Sequence, residues 1–493
     1  MRRRRWACLV GAGAYAAVAC VACAPLTLEP VAPPPVLPEQ WKSLDAASVP
    51  GDSAGLPWQV ARPSDDAPKG AWWEAYGDPV LDDLERRALQ DSYTLQVAVA
   101  RLDLAVSQVA AHAAALQPVV VAGATATRAR TSANRPLSSY AVPNASTVQD
   151  EFRASLGVSY EWDWLGRIRL DVQGARASAQ QAAADLENVR LLLAAQVASS
   201  YLQLRAVDEE MAVVSSAAVL QDKVVDLVGR RYRGGAASQA DLAQQTALAQ
   251  STRAQLELLG IQRSQQEDSL ATLTGTPAAQ FRLGVAGLPG TLPQVPLAMP
   301  SRLLERRPDI ASAERAMAAA NAQIGVARAA YYPVLSLAPT LLGYDANVLS
   351  ALVAARSVVW SFGAAATQTL FDGGRADAGV AAAKANHATT VANYRQTVLQ
   401  AIQETQDALS ALQALALAQR RQDEAVRNED QASRIGLVRY QEGLDNALTL
   451  AVTQQNQLTA LRVQAQIRGS QFLSSVALIK ALGGGWAGLE VAH

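Results

Sequence analysis

The chain has 493 residues and a formal net charge of -1. Basic residues alternate with acidic ones instead of clustering, so the sequence gives no electrostatic case for binding nucleic acid. All three cysteines lie in the first 23 positions and only three histidines occur. The rest of the chain therefore lacks the usual soft metal ligands, disulfides and Cys- or His-based catalytic groups, and we do not expect an enzyme.

Residues 1–22 are typical of a lipoprotein signal peptide. Four arginines precede an apolar run that is too short for a transmembrane helix, and small residues follow. Cys20 and Cys23 each end a short Ala/Val-rich sequence that resembles the cleavage motif of bacterial lipoproteins, whose cysteine becomes the lipidated N-terminus. We expect the covalent lipid on Cys23, which abuts the proline-rich segment, with Cys20 as the alternative and an ordinary cleavage site as the competing interpretation. No other cofactor is expected.

Residues 23–70 form a proline-rich N-terminal tether or strap. Ten prolines occur between residues 24 and 70, which excludes a helix or a central strand. The first predicted helix follows, because Asp78 can cap its N-terminus and Pro79 fits its first turn. Beyond the tether we divide the chain into a first repeat over residues 71–285, a second repeat over 286–485 and a tail over 486–493.

Residues 151–164 alternate strictly between apolar and polar side chains. The even-numbered positions are apolar from Phe152 onwards, and the odd-numbered ones are Glu, Arg, Ser, Gly or Asp. Roughly 9–11 residues cross a bilayer as a tilted strand, so this stretch is long enough to span one. Its end carries Tyr160, Trp162 and Trp164, and we assign these aromatics, with Trp360 later in the chain, to the membrane interface instead of a ligand site.

A seven-residue repeat begins at Leu186 and indicates a coiled coil. No proline interrupts residues 166–232, so this helix would extend roughly 100 Å. Two local sequences recur at an offset of 208 residues, which marks a duplicated unit: Gly166-Arg167 returns as Gly374-Arg375, and Arg231-Tyr232 as Arg439-Tyr440. The predicted seam of the first helix consists of Leu186, Leu193, Val197, Leu204, Val207, Met211, Val214, Ala218, Val225, Val228 and Tyr232.

Four strands per chain are predicted, two in each repeat. They cover residues 119–131, 151–164, 334–344 and 356–370. Four strands cannot close a barrel, and an open sheet edge in lipid leaves backbone groups unpaired at several kcal/mol each. The chain must therefore form an oligomer. Two copies give about eight strands and a filled interior, whereas three give about twelve and leave a lumen, so we favour a homotrimer.

Each long helix is expected to reverse direction once. At the first reversal Gly234 and Gly235 stop the helix, and Ser238 with Asp241 makes a capping-box-like start for the next one. At the second reversal Gly443 stops the helix, and either Asp445 or Asn446 caps its successor. Such long antiparallel helices beneath a membrane-spanning sheet fit a periplasmic tunnel better than a soluble bundle.

Several motifs of this chain resemble one known family. They read SYEWDWLGR, GAASQADL, LFDGGR, RYQEGLDNALTL and a terminal ALGGGW. In order and spacing they are similar to the TolC-like outer-membrane factors, and most similar to the OprM-like (NodT) lipoprotein branch that serves RND efflux pumps. The resemblance implies an α+β membrane protein with a trimeric twelve-stranded β-barrel, continued by an α-helical periplasmic barrel.

The resemblance also implies partners and a gate. A periplasmic adaptor would dock its hairpins on the helix tips, and an inner-membrane RND pump would supply the cargo. In this branch a Leu, an Asp four residues later and an Arg three beyond close the tunnel; here the matching positions are Leu448, Val452 and Gln455. Only the leucine is kept, so we predict an apolar, less pH-sensitive closure with Asp445 as a substitute charge. The tip residues implied are Arg231, Tyr232, Gly235, Ser238, Asp241, Arg439, Tyr440 and Gly443.

Three function classes compete at this stage. A passive outer-membrane duct for small molecules explains the strands, long helices, duplication and lipid signal together. Type I protein secretion is the alternative within the duct class, and a structural coiled-coil envelope lipoprotein would leave the alternating strands unexplained. No group of residues supports an enzyme of the envelope. The charged residues Glu305, Arg306, Arg307 and Asp309 are better explained as an ion-pair network at the start of a helix.

Overall fold

The computed structural model of the chain describes residues 70–132, 147–290, 292–293 and 306–484. The expected signal peptide, both candidate lipidation cysteines, the tether up to residue 69 and the tail lie outside this part. Within it the chain divides into two compact units. One comprises residues 103–181 and 314–393 and carries the strands, and the other comprises residues 70–102, 182–313 and 394–484 and is helical.

Seven α-helices occur in the described residues, and four of them repeat in length. Helices α3 (Arg167–Arg233) and α6 (Arg375–Gln441) both have 67 residues, and helices α4 (Gln239–Leu273) and α7 (Ala447–Ala481) both have 35. Helices α6 and α7 each begin and end 208 residues after α3 and α4. The duplication predicted from two short recurring sequences therefore includes the boundaries of all four helices. The helices are α1 Pro79–Asp91, α2 Tyr93–Ala114, α3 Arg167–Arg233, α4 Gln239–Leu273, α5 Pro308–Arg328, α6 Arg375–Gln441 and α7 Ala447–Ala481.

The predicted seam of α3 is buried along most of its length. Leu193, Val197 and Val214 are at most 4% exposed, as expected for apolar residues at coiled-coil spacing. The seam prediction is wrong for Tyr232, which is 41% exposed, while Val224 is buried instead of the predicted Val225. An α-helix has 3.6 residues per turn, so a strict repeat of 3.5 drifts around the helix and loses register towards its end.

Six strand segments in the described residues form one antiparallel sheet. β1 (Val119–Thr131) pairs with β2 (Thr147–Glu161) along its whole length, from Val119 opposite Ser159 to Thr131 opposite Thr147. The other edge of β2 pairs with β3 (Val334–Leu337) and β4 (Thr340–Ala346). On its other side β3 pairs with β6 (Ala364–Thr367), and β4 pairs with β5 (Val358–Ser361). The sheet therefore has four rows, as predicted.

The second, third and fourth predicted strands differ from the structure in detail. The strand predicted from residue 151 begins at Thr147 and ends at Glu161, because Asp163 already serves the next helix. The strand predicted over residues 334–344 is split by Ala338 and Pro339, and the one over 356–370 is split at residues 362–363. Pro339 has no N–H for the ladder, although its carbonyl still accepts a hydrogen bond from the Val158 N–H at 2.9 Å.

The largest apolar core lies in the helical unit. It contains Tyr76, whose ring centroid lies 6.4 Å from that of Trp72 and 6.1 Å from that of Phe472. Buried hydroxyls in this core are paired: Tyr76 hydrogen-bonds Ser475 at 2.7 Å, and Tyr201 donates to Asp78 at 2.5 Å. Burial raises the pKa of both tyrosines, so they remain neutral donors.

No helix in the described part of the chain has the length and hydropathy needed to cross a bilayer.

Candidate functional site

The first interhelical turn joins α3 to α4 and follows the sequence prediction. Gly235 has φ +76°, a conformation that a side chain disfavours, and it ends α3. Ser238 then accepts a hydrogen bond from the Asp241 N–H at 3.1 Å, and the Asp241 carboxylate accepts from the Ser238 N–H at 2.9 Å. This reciprocal capping box fixes the direction in which α4 leaves the turn.

The second turn joins α6 to α7 and resolves the alternative left open by the sequence. Gly443 has φ +77° at the same place in the repeat as Gly235. Asn446, not Asp445, caps α7, since its side chain accepts from the Thr449 N–H at 2.9 Å. Asp445 instead pairs with Arg439 at 3.0 Å, so its charge is partly neutralised within the same turn.

The two turns contact each other through Arg231. Its guanidinium lies 4.5 Å from the centroid of the Tyr440 ring and donates a hydrogen bond to the Gln441 carbonyl at 2.6 Å. Tyr440 is 3% exposed and packs with Val224, Val228 and Leu450 in an apolar cluster. Its counterpart Tyr232 is 41% exposed, so the duplicated turns are not equivalent.

The residues predicted to contact an adaptor fall into two groups, those that are accessible and those that contact each other within the chain. Tyr232, Gly235, Ser238 and Asp241 in the first turn, with Arg439 and Gly443 in the second, are exposed or half-buried and remain available. Arg231 and Tyr440 instead contact each other within the chain. Contact of this surface with an adaptor stays a prediction.

The predicted gate positions share one face near the start of α7. Leu448 is 53% exposed and Val452 49% exposed, and Gln455 is half-buried. They are spaced by four and three residues, which places them on successive turns of one helix face. The buried Ala447 and Leu450 lie on a different face of the same helix, and the buried Ala451 lies between the two faces. Apolar side chains at two successive exposed turns need another surface to cover them.

The predicted interface aromatics are not buried: three of them lie at or directly after the end of β2, and Trp360 lies within β5. Trp360 in β5 is 77% exposed, and Trp162, directly after β2, is 59% exposed. Trp164 is half-buried because its indole N–H donates to the Pro333 carbonyl at 3.1 Å, and Tyr160 is half-buried within β2. Large exposed aromatics at strand ends are typical of proteins that face a membrane interface.

The residues between strand and helix are structural. From the sequence, a glycine followed by arginine at these positions is expected to bend the chain from strand into helix, with the arginine bonding carbonyls freed at the bend. Gly166 (φ +83°) and Gly374 (φ +88°) do permit the bends. The expectation is wrong for Arg167, which pairs with the Glu161 carboxylate at 2.9 Å. The helix starts are capped by carboxylates: Asp163 accepts from Ile168 N–H and Arg169 N–H at 3.0 Å. Asp372 caps the other helix by accepting hydrogen bonds from the Ala376 N–H and its neighbours, and these bonds lower the pKa of Asp372.

The charged group at the start of α5 also has a structural role. Arg307 donates to Asp309 at 2.7 Å, to Glu404 at 3.0 Å and to the Ala481 carbonyl at 3.0 Å. It therefore joins α5, α6 and the C-terminal end of α7, as an ion-pair network would. Glu305 lies outside the described residues. No cluster of three metal-binding side chains occurs in the described part of the chain.

One buried network was missed by sequence reasoning. Asp208 is fully buried and accepts from Arg205 at 3.0 Å and Arg263 at 2.8 Å, and Arg263 also contacts Glu267. The two arginines donate to the carbonyls of Gly284 and Leu283, which fixes the segment after α4. The only sequence signal was a charged pair at i and i+3 inside an otherwise apolar helix face.

Comparisons with known proteins agree on one family. The model of the Outer membrane efflux protein family matches residues 84–276 and 299–484. The chain is 33% identical over 432 residues to the pyoverdine export outer membrane protein OpmQ of Pseudomonas putida, covering 87% of this chain and 91% of OpmQ. It is 31% identical over 427 residues to the outer membrane protein OprJ of Pseudomonas aeruginosa, covering 84% and 86%.

Solved structures give the same result for the fold. The outer-membrane channel OprN superimposes with a TM-score of 0.83 at 27% identity, covering 94% of this chain and 99% of OprN. The outer membrane protein VceC of Vibrio cholerae superimposes with a TM-score of 0.77 at 30% identity, covering 86% of this chain and 99% of VceC.

Proposed function

The chain belongs to the outer membrane efflux protein family, and from this premise we propose that three copies assemble into one passive duct for small molecules. It is an outer-membrane efflux channel component, as its relatives are. The relatives' names mention pyoverdine export and toluene efflux. These names favour a small-molecule cargo over secreted protein for this chain too.

The sheet carries the proposal of a shared barrel. Within the described residues β1 pairs only with β2, and β5 and β6 pair only with β4 and β3. Both outer rows thus present unpaired N–H and C=O groups, each of which costs several kcal/mol in lipid. Three neighbouring copies would pair these edges into about twelve rows, enough for a lumen.

Native mass spectrometry of the full-length protein extracted in mild detergent tests this assembly. We expect a mass of three chains. A stable monomer, or a dimer, would contradict the shared barrel.

The same threefold assembly would bring three copies of the exposed Leu448 and Val452 together as a closure. Such a gate is apolar, because Val452 stands where relatives of this branch are expected to carry Asp and because Asp445 is paired with Arg439. Single-channel recordings test the assignment. Val452→Ala should raise the open fraction, and Asp445→Asn should leave ion selectivity nearly unchanged. Loss of cation selectivity in Asp445→Asn, with no effect of Val452→Ala, would overturn it.

The adaptor and an RND pump complete the proposed pathway. The exposed residues of both turns offer the docking surface. A photo-crosslinking amino acid at Ser238 or Gly443 should capture a periplasmic adaptor from intact cells, whereas the same label at Leu258, which is 60% exposed on α4, should capture much less. Equal capture from all three positions would argue against docking at the turns.

A lipid on Cys23 would anchor the N-terminus in the outer membrane. An acyl chain alone binds a membrane only marginally, so the anchor would support the barrel instead of replacing it. Labelling cells with palmitate should mark the wild type and Cys20→Ser but not Cys23→Ser. The reverse pattern would assign the lipid to Cys20, and label in neither variant nor wild type would favour an ordinary cleavage site.

A further inference from the structure

A cavity of about 420 Å³ lies between α3 and α7 in the helical unit and opens to its surface. Its apolar wall is formed by Val213, Leu220, Leu458 and Leu461. Its volume falls within the roughly 300–1,000 Å³ typical of small-molecule sites. None of its lining residues belongs to the turns, the predicted gate positions or the sheet.

Three polar side chains line the cavity with free hydrogen-bonding atoms. Gln221 is 2% exposed, and neither end of its amide has a partner among the described residues. Gln454 is 4% exposed, and its amide oxygen likewise lacks a described partner. Glu209 pairs one carboxylate oxygen with Arg468 at 3.1 Å, while the other is buried and unpaired in the described part of the chain.

The duplicated helix shows that this lining is not required by the fold. At the offset of 208 residues Val213 corresponds to Arg421, Leu220 to Asn428 and Gln221 to Glu429. An ordinary solvated helix face therefore occupies the matching positions of the second repeat. The first repeat instead combines an apolar wall with buried amides, which is the composition of a ligand site.

We propose that this cavity binds a small apolar molecule carrying an ammonium group. The free atoms are three acceptors, on Glu209, Gln221 and Gln454, against one described donor group, the Gln221 amide nitrogen. The cavity therefore favours a ligand that supplies N–H or O–H donors. One acceptor is a carboxylate oxygen, which forms stronger hydrogen bonds with a cationic donor than with a neutral one. The apolar wall covers the hydrocarbon part of the same molecule.

Three matched probes test the ligand class: naphthylmethylammonium, naphthylmethanol and naphthoate. Isothermal titration calorimetry with the purified full-length protein should show saturable binding of the ammonium probe, weaker binding of the alcohol and none of the carboxylate. Gln221→Leu and Glu209→Gln should each weaken ammonium binding about tenfold, the loss of roughly one charge-assisted hydrogen bond. Equal binding of all three probes would mean only a hydrophobic surface and would overturn the proposal.

A second pair of variants separates the cavity from the rest of the surface. Ser216 is an exposed residue at the cavity rim, so Ser216→Trp should block the opening and abolish binding. The matched control is Ser215→Trp, since Ser215 is also exposed but does not line the cavity. Binding that survives Ser216→Trp, or no saturable binding in wild type, refutes the site. The proposal is also refuted if the wild type is an oligomer and Ser216→Trp is a monomer, because this result would show that a second copy fills the cavity.

Discussion

At the scale of single residues, sequence reasoning succeeded where the interaction is local. The capping box of Ser238 and Asp241 joins positions three residues apart, so its geometry follows from the residue types alone. The fates of Tyr232 and Tyr440 could not be predicted in that way. Each tyrosine follows an arginine and lies three residues before a glycine. Tyr440, however, is enclosed by the Arg231 guanidinium and by apolar residues of α3 and α7, and these contacts join positions that are far apart in the chain.

Glu85 gives a pH-dependent prediction at this scale. It is fully buried in the core around α1, and burial, with a smaller contribution from the charge of Asp82, raises the pKa of its carboxyl to about 9. The folded state thus holds the proton more tightly than the unfolded chain does. The resulting stability is fully present below the unfolded pKa of 4.5 and is lost as the pH rises towards 9.

We therefore expect thermal stability to fall between these pH values by up to about 1.4 kcal/mol per pH unit, and Glu85→Gln to remove most of this fall. Unfolding followed by circular dichroism at a series of pH values measures it. Asp83→Asn is the control, because Asp83 lies on the same helix but is exposed in pairs with Arg86 and Arg87. If the stability of Glu85→Gln falls with pH as steeply as that of the wild type, Glu85 is charged in the folded state.

At the scale of elements, the helices were predicted closely and the second hairpin less so. The long helices begin and end at glycines and run through proline-free sequence, and these signals act within a few residues. The alternating side chains over residues 334–344 predict one continuous strand, although Pro339 lies within it. Side-chain alternation reports which face is apolar, whereas a break in the ladder depends on which backbone groups the neighbouring strand offers.

Close helix packing gives a prediction for two glycines. A Cβ at Gly469 on α7 would lie 2.7 Å from the Cβ of Ala206 on α3, so Gly469→Ala must push the helices apart. Overpacking of this kind costs typically about 1–3 kcal/mol. A Cβ at Gly260 on α4 would meet no described atom within 4 Å. Gly260→Ala should instead stabilise by about 0.5–1 kcal/mol, because alanine loses less backbone entropy in a helix.

Chemical denaturation of both variants, in the same detergent, measures the difference in sign. Equal stability of Gly469→Ala and Gly260→Ala would mean that α3 and α7 are not in close contact at this point.

At the scale of the whole molecule, one chain leaves its sheet edges unpaired and its predicted gate residues uncovered within the described residues. The edges of β1 and of β5 and β6 are unpaired among the described residues, and Leu448 and Val452 are about half exposed. The unpaired sheet edges were predictable because counting strands requires no knowledge of the partner, whereas the gate residues were implied only by the family resemblance. How copies would meet at the turns depends on contacts between chains, which neither periodicity nor motif spacing encodes.

The contact between the two turns gives the last prediction, which concerns opening. If the duct opens by moving α6 and α7 at their turn, the Arg231 hydrogen bond to the Gln441 carbonyl and its contact with the Tyr440 ring must be lost. Arg231→Ala removes both in advance. A hydrogen bond of this kind contributes about 1 kcal/mol, so the open fraction in single-channel recordings should rise by up to about fivefold.

Arg230→Ala is the matched control. Arg230 is the neighbouring residue, also at the end of α3, but it pairs on the surface with Asp226 in its own helix. Exposed pairs of this kind contribute little, so its removal should leave the open fraction unchanged. If both variants remain as closed as the wild type, the closure is held by the apolar contacts of Leu448 and Val452 alone, and the turn contact serves only to position the helices.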